Sequence, residues 1–171
     1  MKYFKILFQP NEKNPPFYKQ VFLKDCIVSK KGYSFAIPYS PQDFNAFLMD
    51  DQIYNIFVYS TVKQLMLSNH KYLNLILMQD RFNLSLVDCK FKNYEIEDLL
   101  EGEEFNLESI EALLQNQDYE IMQLFFRSKG NHMVTLKSNG VLGIDSGLSE
   151  EEYIDVKKLI EFISFGPRML V

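Results

Sequence analysis

The stretch from Tyr72 to Phe91 reads YLNLILMQDRFNLSLVDCKF and points most directly to the fold class. In its first part, Leu73, Leu75 and Leu77 alternate with other apolar residues, a pattern typical of a strand buried on both faces. In its second part the apolar residues change phase after Leu86, as one extra residue in a strand would cause. We therefore predict a central hairpin with a β-bulge near Leu86.

Apolar runs separated by turn residues predict further strands on both sides of this stretch. Gly32 marks one turn, and Asn139–Gly140 predicts a type I′ turn because both residues tolerate positive φ. Residues 9–16 are polar and contain prolines, so they predict a loop. The predicted strands are Lys2–Phe8, Gln20–Val28, Tyr33–Ile37, Tyr119–Arg127, His132–Lys137 and Val141–Asp145.

Capping residues predict where three helices begin. Ser40, followed by Pro41, predicts the first. Asn106 predicts a second helix, Leu107–Gln115, and Ser149 with Glu152 matches the capping box of a C-terminal helix. The apolar stripe of this last helix is Tyr153, Val156, Leu159, Ile160 and Ile163.

A fourth helix is predicted from about Asp51 to Ser68. Its apolar residues recur at spacings of three and four. The run Ile53–Tyr59 is equally compatible with a strand followed by a short helix from Thr61 to Leu67. The residues of the predicted helical stripe are Tyr54, Val58, Val62, Leu65 and Met66.

Strands in hairpins, separated along the chain from helices, indicate the α+β class. The 171 residues, 47% of them hydrophobic, predict a single α+β domain over 1–171, with a mainly antiparallel sheet and three or four packed helices. No apolar run approaches the ~20 residues of a membrane helix. The N-terminus, MKYFKILFQP, contains no hydrophobic signal core, so we expect a cytoplasmic protein. In that compartment Cys26 and Cys89 are predicted to remain thiols.

Charge is distributed unevenly along the chain. Residues 93–126, here named the acidic segment, contain ten acidic residues and no Lys or Arg. The segment carries a formal charge of −10 and the whole chain −5, so the remainder carries +5. Residues 1–37 contain seven lysines against Glu12 and Asp25. This separation of charge favours a role in binding charged partners.

No motif predicts catalysis, a metal site or a cofactor. His70 and His132 have no second ligand at a fixed short spacing, and a metal needs at least three convergent ligands. Gly140–Gly147 matches neither a P-loop nor a dinucleotide-binding fingerprint. The N-terminal lysines, with Tyr3, Phe17, Tyr18 and Tyr33 between them, are compatible with nucleic-acid stacking. The acidity of the chain and the lack of arginine in this region disfavour that partner.

Two hypotheses about function follow. The first is a binding protein, not an enzyme, that presents the acidic segment to a basic protein, as an inhibitor or immunity protein would to a nuclease, because opposite potentials speed encounter. The second is a small enzyme or ligand-binding domain with a pocket built from sequence-distant residues. The candidate partner-binding residues under the first hypothesis are Glu101, Glu103, Glu104, Glu108, Glu111 and Asp118.

Overall fold

The computed structural model describes residues 1–21, 24–92, 108, 111–112, 115 and 119–166. Its strands are β1 (Lys2–Phe8), β2 (Ile27–Val28), β3 (Ser34–Pro38), β4 (Lys63–Gln64), β5 (Leu84–Phe91), β6 (Ile121–Ser128), β7 (Met133–Lys137) and β8 (Val141–Ile144). Its helices are α1 (Phe17–Gln20), α2 (Pro41–Met49), α3 (Asp51–Tyr59), α4 (Asn69–Leu77) and α5 (Glu150–Phe165), and a 3₁₀ helix spans Gln79–Phe82.

The eight described strands form one sheet, which confirms the predicted α+β class. The order is β2-β3-β1-β8-β7-β6-β5, with β4 also paired to β1, and the described strand pairs are antiparallel. The predicted bulge is confirmed, since the β5–β6 register shifts between Leu86 and Asp88. Val87 lies at that shift and is exposed.

One face of the sheet is covered by α4 and α5 and holds the larger core. Leu159 and Ile160 of α5 are fully buried in it. The side chains that join them come from alternate positions of the strands, as expected for one face of a pleated sheet. These strand residues include Phe4, Ile6, Ala36, Leu124, Phe126, Val134, Leu136, Leu142 and Ile144.

A second, smaller core lies on the opposite face, between β1, β3 and α1–α3. Leu7, Phe35 and Ile37 face it from the strands. Phe17 of α1 is fully buried there and stacks on Phe35 at 5.6 Å between ring centroids. The three helices therefore cover the β1–β3 end of this face.

The predicted strand over Tyr72–Met78 is wrong, because α4 occupies those residues, and the central hairpin is therefore absent. Ser68 caps α4 by accepting a hydrogen bond from the Lys71 N–H, and Tyr72, Leu75 and Ile76 are buried at helical spacing. The Tyr72 hydroxyl donates to the carbonyl of Leu136 at 3.2 Å. The buried residues of this run therefore have helical spacing, and α4 packs on one face of the sheet.

Two more predictions need correction. Gln20–Val28 contains the end of α1 and the two-residue β2, with Asp25 in the left-handed region at φ 57° between them. The predicted Asp51–Ser68 helix ends at Tyr59, and Thr61 at φ 56° turns the chain into β4. The alternative, a strand over 53–59 and a helix over 61–67, is also wrong.

The stripe predicted for this region is only partly buried. Val62 and Leu65 are buried but lie after the end of α3, and Met66 is exposed. Tyr54 and Val58 are 51% and 56% exposed. The residues of α3 that pack on the smaller core are Ile53, Ile56 and Phe57, which have the same spacing on the neighbouring face.

The Asn139–Gly140 hairpin is confirmed, but its turn type is not I′. Gly140 has φ 78°, whereas Asn139 is not at positive φ. The Gly140 N–H donates to the carbonyl of Lys137 at 2.9 Å and closes a four-residue turn. A Cβ at Gly140 would lie 2.4 Å from the carbonyl oxygen of Leu65, so glycine is required by space as well as by φ.

The C-terminal helix matches its prediction. Ser149 and Glu152 form the capping box, and Val156, Leu159, Ile160 and Ile163 are buried. Ser40 likewise caps α2 by accepting from the Asp43 N–H. The helix predicted over Leu107–Gln115 and the tail after Gly166 lie largely outside the described residues.

Cys26 and Cys89 form no disulfide with each other. Cys26 precedes the edge strand β2, and Cys89 is in β5 at the other edge. Six strand spacings separate these edges, or about 29 Å, far beyond the reach of a disulfide. In the described part of the chain, no helix is both long and apolar enough to span a membrane.

Candidate functional site

The acidic segment leaves the sheet after β5 and returns to it as β6, so its two ends are held side by side. The Lys92 N–H donates to the Glu120 carbonyl at 2.9 Å. The Lys92 ammonium lies 3.7 Å from the Glu120 carboxylate, although both side chains are largely exposed. The segment is therefore anchored at the edge of the sheet that ends in β5.

Two of the six predicted partner-binding residues are described, and both have the predicted setting. Glu108 and Glu111 are helical and exposed, as is Ala112. The Gln115 N–H donates to the Glu111 carbonyl at 3.0 Å, which is the spacing of an α-helix. Glu101, Glu103, Glu104 and Asp118 lie outside the described residues.

Residues three apart on a helix project from the same side, which is the arrangement that the sequence predicts for Glu108 and Glu111. Exposed carboxylates attract a cationic surface over about a Debye length. Such a pair can guide the approach of a basic protein and set its orientation. It has no chemistry of its own without a pocket or a metal.

A second group of polar residues joins the β6–β7 turn to the start of α5, and the sequence alone did not indicate it. The Glu152 carboxylate accepts hydrogen bonds from the Ser128 hydroxyl, from His132 Nδ1 at 2.9 Å and from the Ser149 N–H at 2.8 Å. Glu152 is buried, with 7% of its surface exposed. The pattern Ser149–Glu152 predicted the capping box, but nothing local connected it to residues twenty positions away.

The electrostatics of Glu152 follow from these contacts. Burial by itself raises the pKa of the carboxyl, but the hydrogen bonds from Ser128, Ser149 and His132 outweigh it and hold the pKa at about 2, against an ordinary value of 4.5. Glu152 is therefore a carboxylate at neutral pH and ties the turn to the helix.

This group differs from a catalytic triad in its order of contacts. A nucleophilic serine donates its proton to an imidazole base. Here the Ser128 hydroxyl donates to Glu152 and accepts from the His132 backbone N–H at 3.0 Å. The arrangement stabilises structure and does not activate Ser128.

The other histidine that was considered as a metal ligand lies on the surface. His70 is exposed on α4, and its Nε2 lies 3.3 Å from the Asn74 amide nitrogen. No group of three or more His, Cys, Asp or Glu side chains arranged for a metal was found among the residues that the structure describes.

Two open depressions lie on the described surface. One of about 420 Å³ flanks the N-terminal half of α5 and is lined by Glu151, Asp155 and Lys158 among others. The other, of about 450 Å³, lies at the end of β5–β7 and is lined by Lys90, Phe91, Lys92, Met122, Gln123, Lys137 and Ser138. The second brings together lysines that are far apart in sequence.

Comparison with known proteins adds no relationship to these observations. The chain matches no family model, and no curated protein or solved structure is significantly similar to it.

Proposed function

We propose that the protein is a binding module that presents the acidic segment to a basic protein partner, as an inhibitor or immunity protein does when it masks a nuclease. The supporting observation is the setting of Glu108 and Glu111, each of which is helical and exposed within a segment of formal charge −10. Ten acidic residues without a compensating Lys or Arg create a negative potential that steers cationic surfaces.

The anchoring of the segment also supports this role. Because Lys92 and Glu120 hold its two ends together at a sheet edge, the segment is attached to a rigid scaffold at both ends. A binding loop on such a scaffold loses less conformational freedom on association than a free tail would.

The experiment compares partner capture by the wild-type protein and by the variant Glu108→Lys/Glu111→Lys. Each is immobilised and exposed to a lysate of the native host, and the bound proteins are quantified by mass spectrometry. The wild type is expected to retain a protein with a basic binding surface, and the variant is expected to lose most of it. The free energy of unfolding should change by less than about 0.5 kcal/mol, because both side chains are exposed.

A control variant, Glu150→Lys/Glu151→Lys, makes the same change in net charge at exposed positions of α5. It should retain the partner. Equal capture by all three proteins, or equal loss in both variants, would contradict the proposal, because neither result depends on the acidic segment.

A further inference from the structure

A second surface, made mainly of β5–β8, carries cations and aromatic rings. It occupies the face of the sheet opposite α4 and α5, beyond the end that α1–α3 cover. Lys5 marks the boundary, because it is buried beneath Tyr39 and Phe44. We name as the open face the side chains of Tyr3, Lys90, Gln123, Phe125 and Lys137. Thr135 lies in the same face but is buried beside Met1.

The strand register fixes where these side chains lie. Lys90 and Lys137 are the partners of Gln123 on either side of β6. The neighbouring row runs through Phe125, Thr135, Gly143 and Tyr3 on four adjacent strands. Two rows of one sheet face therefore place lysines directly beside aromatic rings.

Each lysine contacts one ring. Lys90 Nζ lies 5.3 Å from the centre of the Phe125 ring, and Lys137 Nζ lies 5.7 Å from that of Tyr3. Tyr3 is 44% exposed and Phe125 is half-buried. Gly143 lets three side chains lie close to the strand, since a Cβ there would clash with Thr135 Oγ1 and would lie 2.8 Å from Met1 Sδ and 3.2 Å from Tyr3 Cε1.

The charges of this region are unevenly placed. Lys90, Lys92 and Lys137 surround the 450 Å³ depression, and Glu120 contacts Lys92. Asp88 is the register partner of Phe125, and Asp145 accepts the Met133 N–H at the opposite end of the face. The lysines at this end thus adjoin two rings, Phe125 and Tyr3, which are separated by Thr135 and Gly143.

We propose that the open face binds single-stranded nucleic acid, with phosphates at Lys90 and Lys137 and bases stacked on Phe125 and Tyr3. A single strand offers anionic phosphates and flat bases at short intervals, and binding sites for it combine cations with exposed aromatic rings. An acidic peptide would match the lysines but would not need the rings. This inference is independent of the proposed role of the acidic segment.

The sequence suggested a different set of residues for this chemistry, and the acidity of the chain disfavoured nucleic acid as their partner. Phe17 is fully buried and offers no stacking surface, and the Tyr33 hydroxyl donates to the Glu12 carbonyl at 2.8 Å. Lys19 Nζ lies 6.0 Å from the centre of the Tyr18 ring. Of the four aromatic residues named there, Tyr3 alone belongs to the open face. The other contributors come from β5, β6 and β7, whose register the sequence did not reveal.

The experiment measures fluorescence anisotropy of labelled oligothymidylate and oligouridylate, each about ten nucleotides long, with the full chain at two salt concentrations. The wild type should bind at low salt and weaken as salt rises. Lys90→Glu/Lys137→Glu should weaken binding at least about tenfold. Phe125→Leu should also weaken it about tenfold, because leucine preserves packing but removes the stacking surface.

The matched control is Lys30→Glu/Lys31→Glu, which makes the same charge change at exposed residues of the β2–β3 turn. This turn lies at the edge of the sheet opposite β5. It should bind like the wild type, and melting curves should show that every variant is folded. The proposal is overturned if the wild type binds neither oligonucleotide, if the control weakens binding as much, or if Phe125→Leu has no effect. Equal displacement by polyglutamate would assign the face to an acidic protein instead.

Discussion

At the scale of single residues, Glu152 shows how one side chain joins two levels of structure. Its backbone lies in the first turn of α5, and its carboxylate accepts hydrogen bonds from the β6–β7 turn as well as from the Ser149 N–H. Because Glu152 is buried, loss of its charge would remove charge-assisted hydrogen bonds that water cannot replace.

The low pKa of Glu152 predicts a specific pH dependence. Since the folded-state pKa of about 2 lies below the ordinary 4.5, the contribution is complete above pH 4.5 and is lost as the pH falls towards 2. The difference corresponds to about 3 kcal/mol of unfolding free energy. Urea unfolding at about pH 6 and pH 2.5 should show the wild type losing more stability than Glu152→Gln by roughly that amount.

The exposed neighbour supplies the control for this prediction. Glu151→Gln should lose as much stability as the wild type over the same pH range, because Glu151 is exposed. If the wild type and Glu152→Gln lost the same amount of unfolding free energy, the hydrogen bonds to Glu152 would not lower its pKa as the account requires.

Gly140 leads to a second prediction at this scale. Alanine there requires a positive φ, which costs about 1–2 kcal/mol, and also brings Cβ against the Leu65 carbonyl. Gly147 has φ 91°, but a Cβ there would lie 3.9 Å from its nearest neighbour, His132 Nε2. Gly140→Ala should therefore lower the melting temperature further than Gly147→Ala, and the opposite ranking would contradict the steric account.

At the scale of elements, α5 is the best-packed helix on the larger core. Ile160→Ala should lower the free energy of unfolding by about 2–5 kcal/mol, because Ile160 is fully buried. Ile154→Ala is the control on the same helix, since Ile154 is 51% exposed and should change stability by less than about 0.5 kcal/mol. Chemical denaturation of both variants tests the assignment, and similar losses in both would show that the buried face is misidentified.

The elements also show what the sequence could predict. Local signals sufficed for α5, because its capping box marks where the helix begins and its apolar stripe marks the face that is buried. They also sufficed for most of β6–β8, where hairpin turns separate β-branched and aromatic runs. These features depend on residues within a few positions of each other.

The failures at α4 and α3 have a common cause. In α4, Leu73, Leu75 and Leu77 alternate, but Tyr72, Leu75 and Ile76 also recur at helical spacing. In α3, two overlapping stripes share the same period, and contact with Phe17 and Phe35 selects the one that contains Phe57. Tertiary packing decides between patterns that the sequence supports equally.

At the scale of the whole molecule, the acidic segment and the open face differ in whether the sequence alone could reveal them. The acidic segment was visible in the composition of contiguous residues, and its two described candidate binding residues, Glu108 and Glu111, are exposed. The open face depends on pairing between strands distant in sequence, so no linear pattern could reveal it. Its lysines lie near the base of the acidic segment, at the β5 edge.

The central claim is that the acidic segment binds a basic partner, and the association rate constant tests it most directly. It should be measured for the captured partner with the wild type and with Glu108→Lys/Glu111→Lys, at low and at high ionic strength. We predict a faster, strongly salt-dependent association for the wild type and a slower, weakly salt-dependent one for the variant. Association that is indifferent both to the double reversal and to salt would contradict the claim and reduce the acidic segment to a solvated surface.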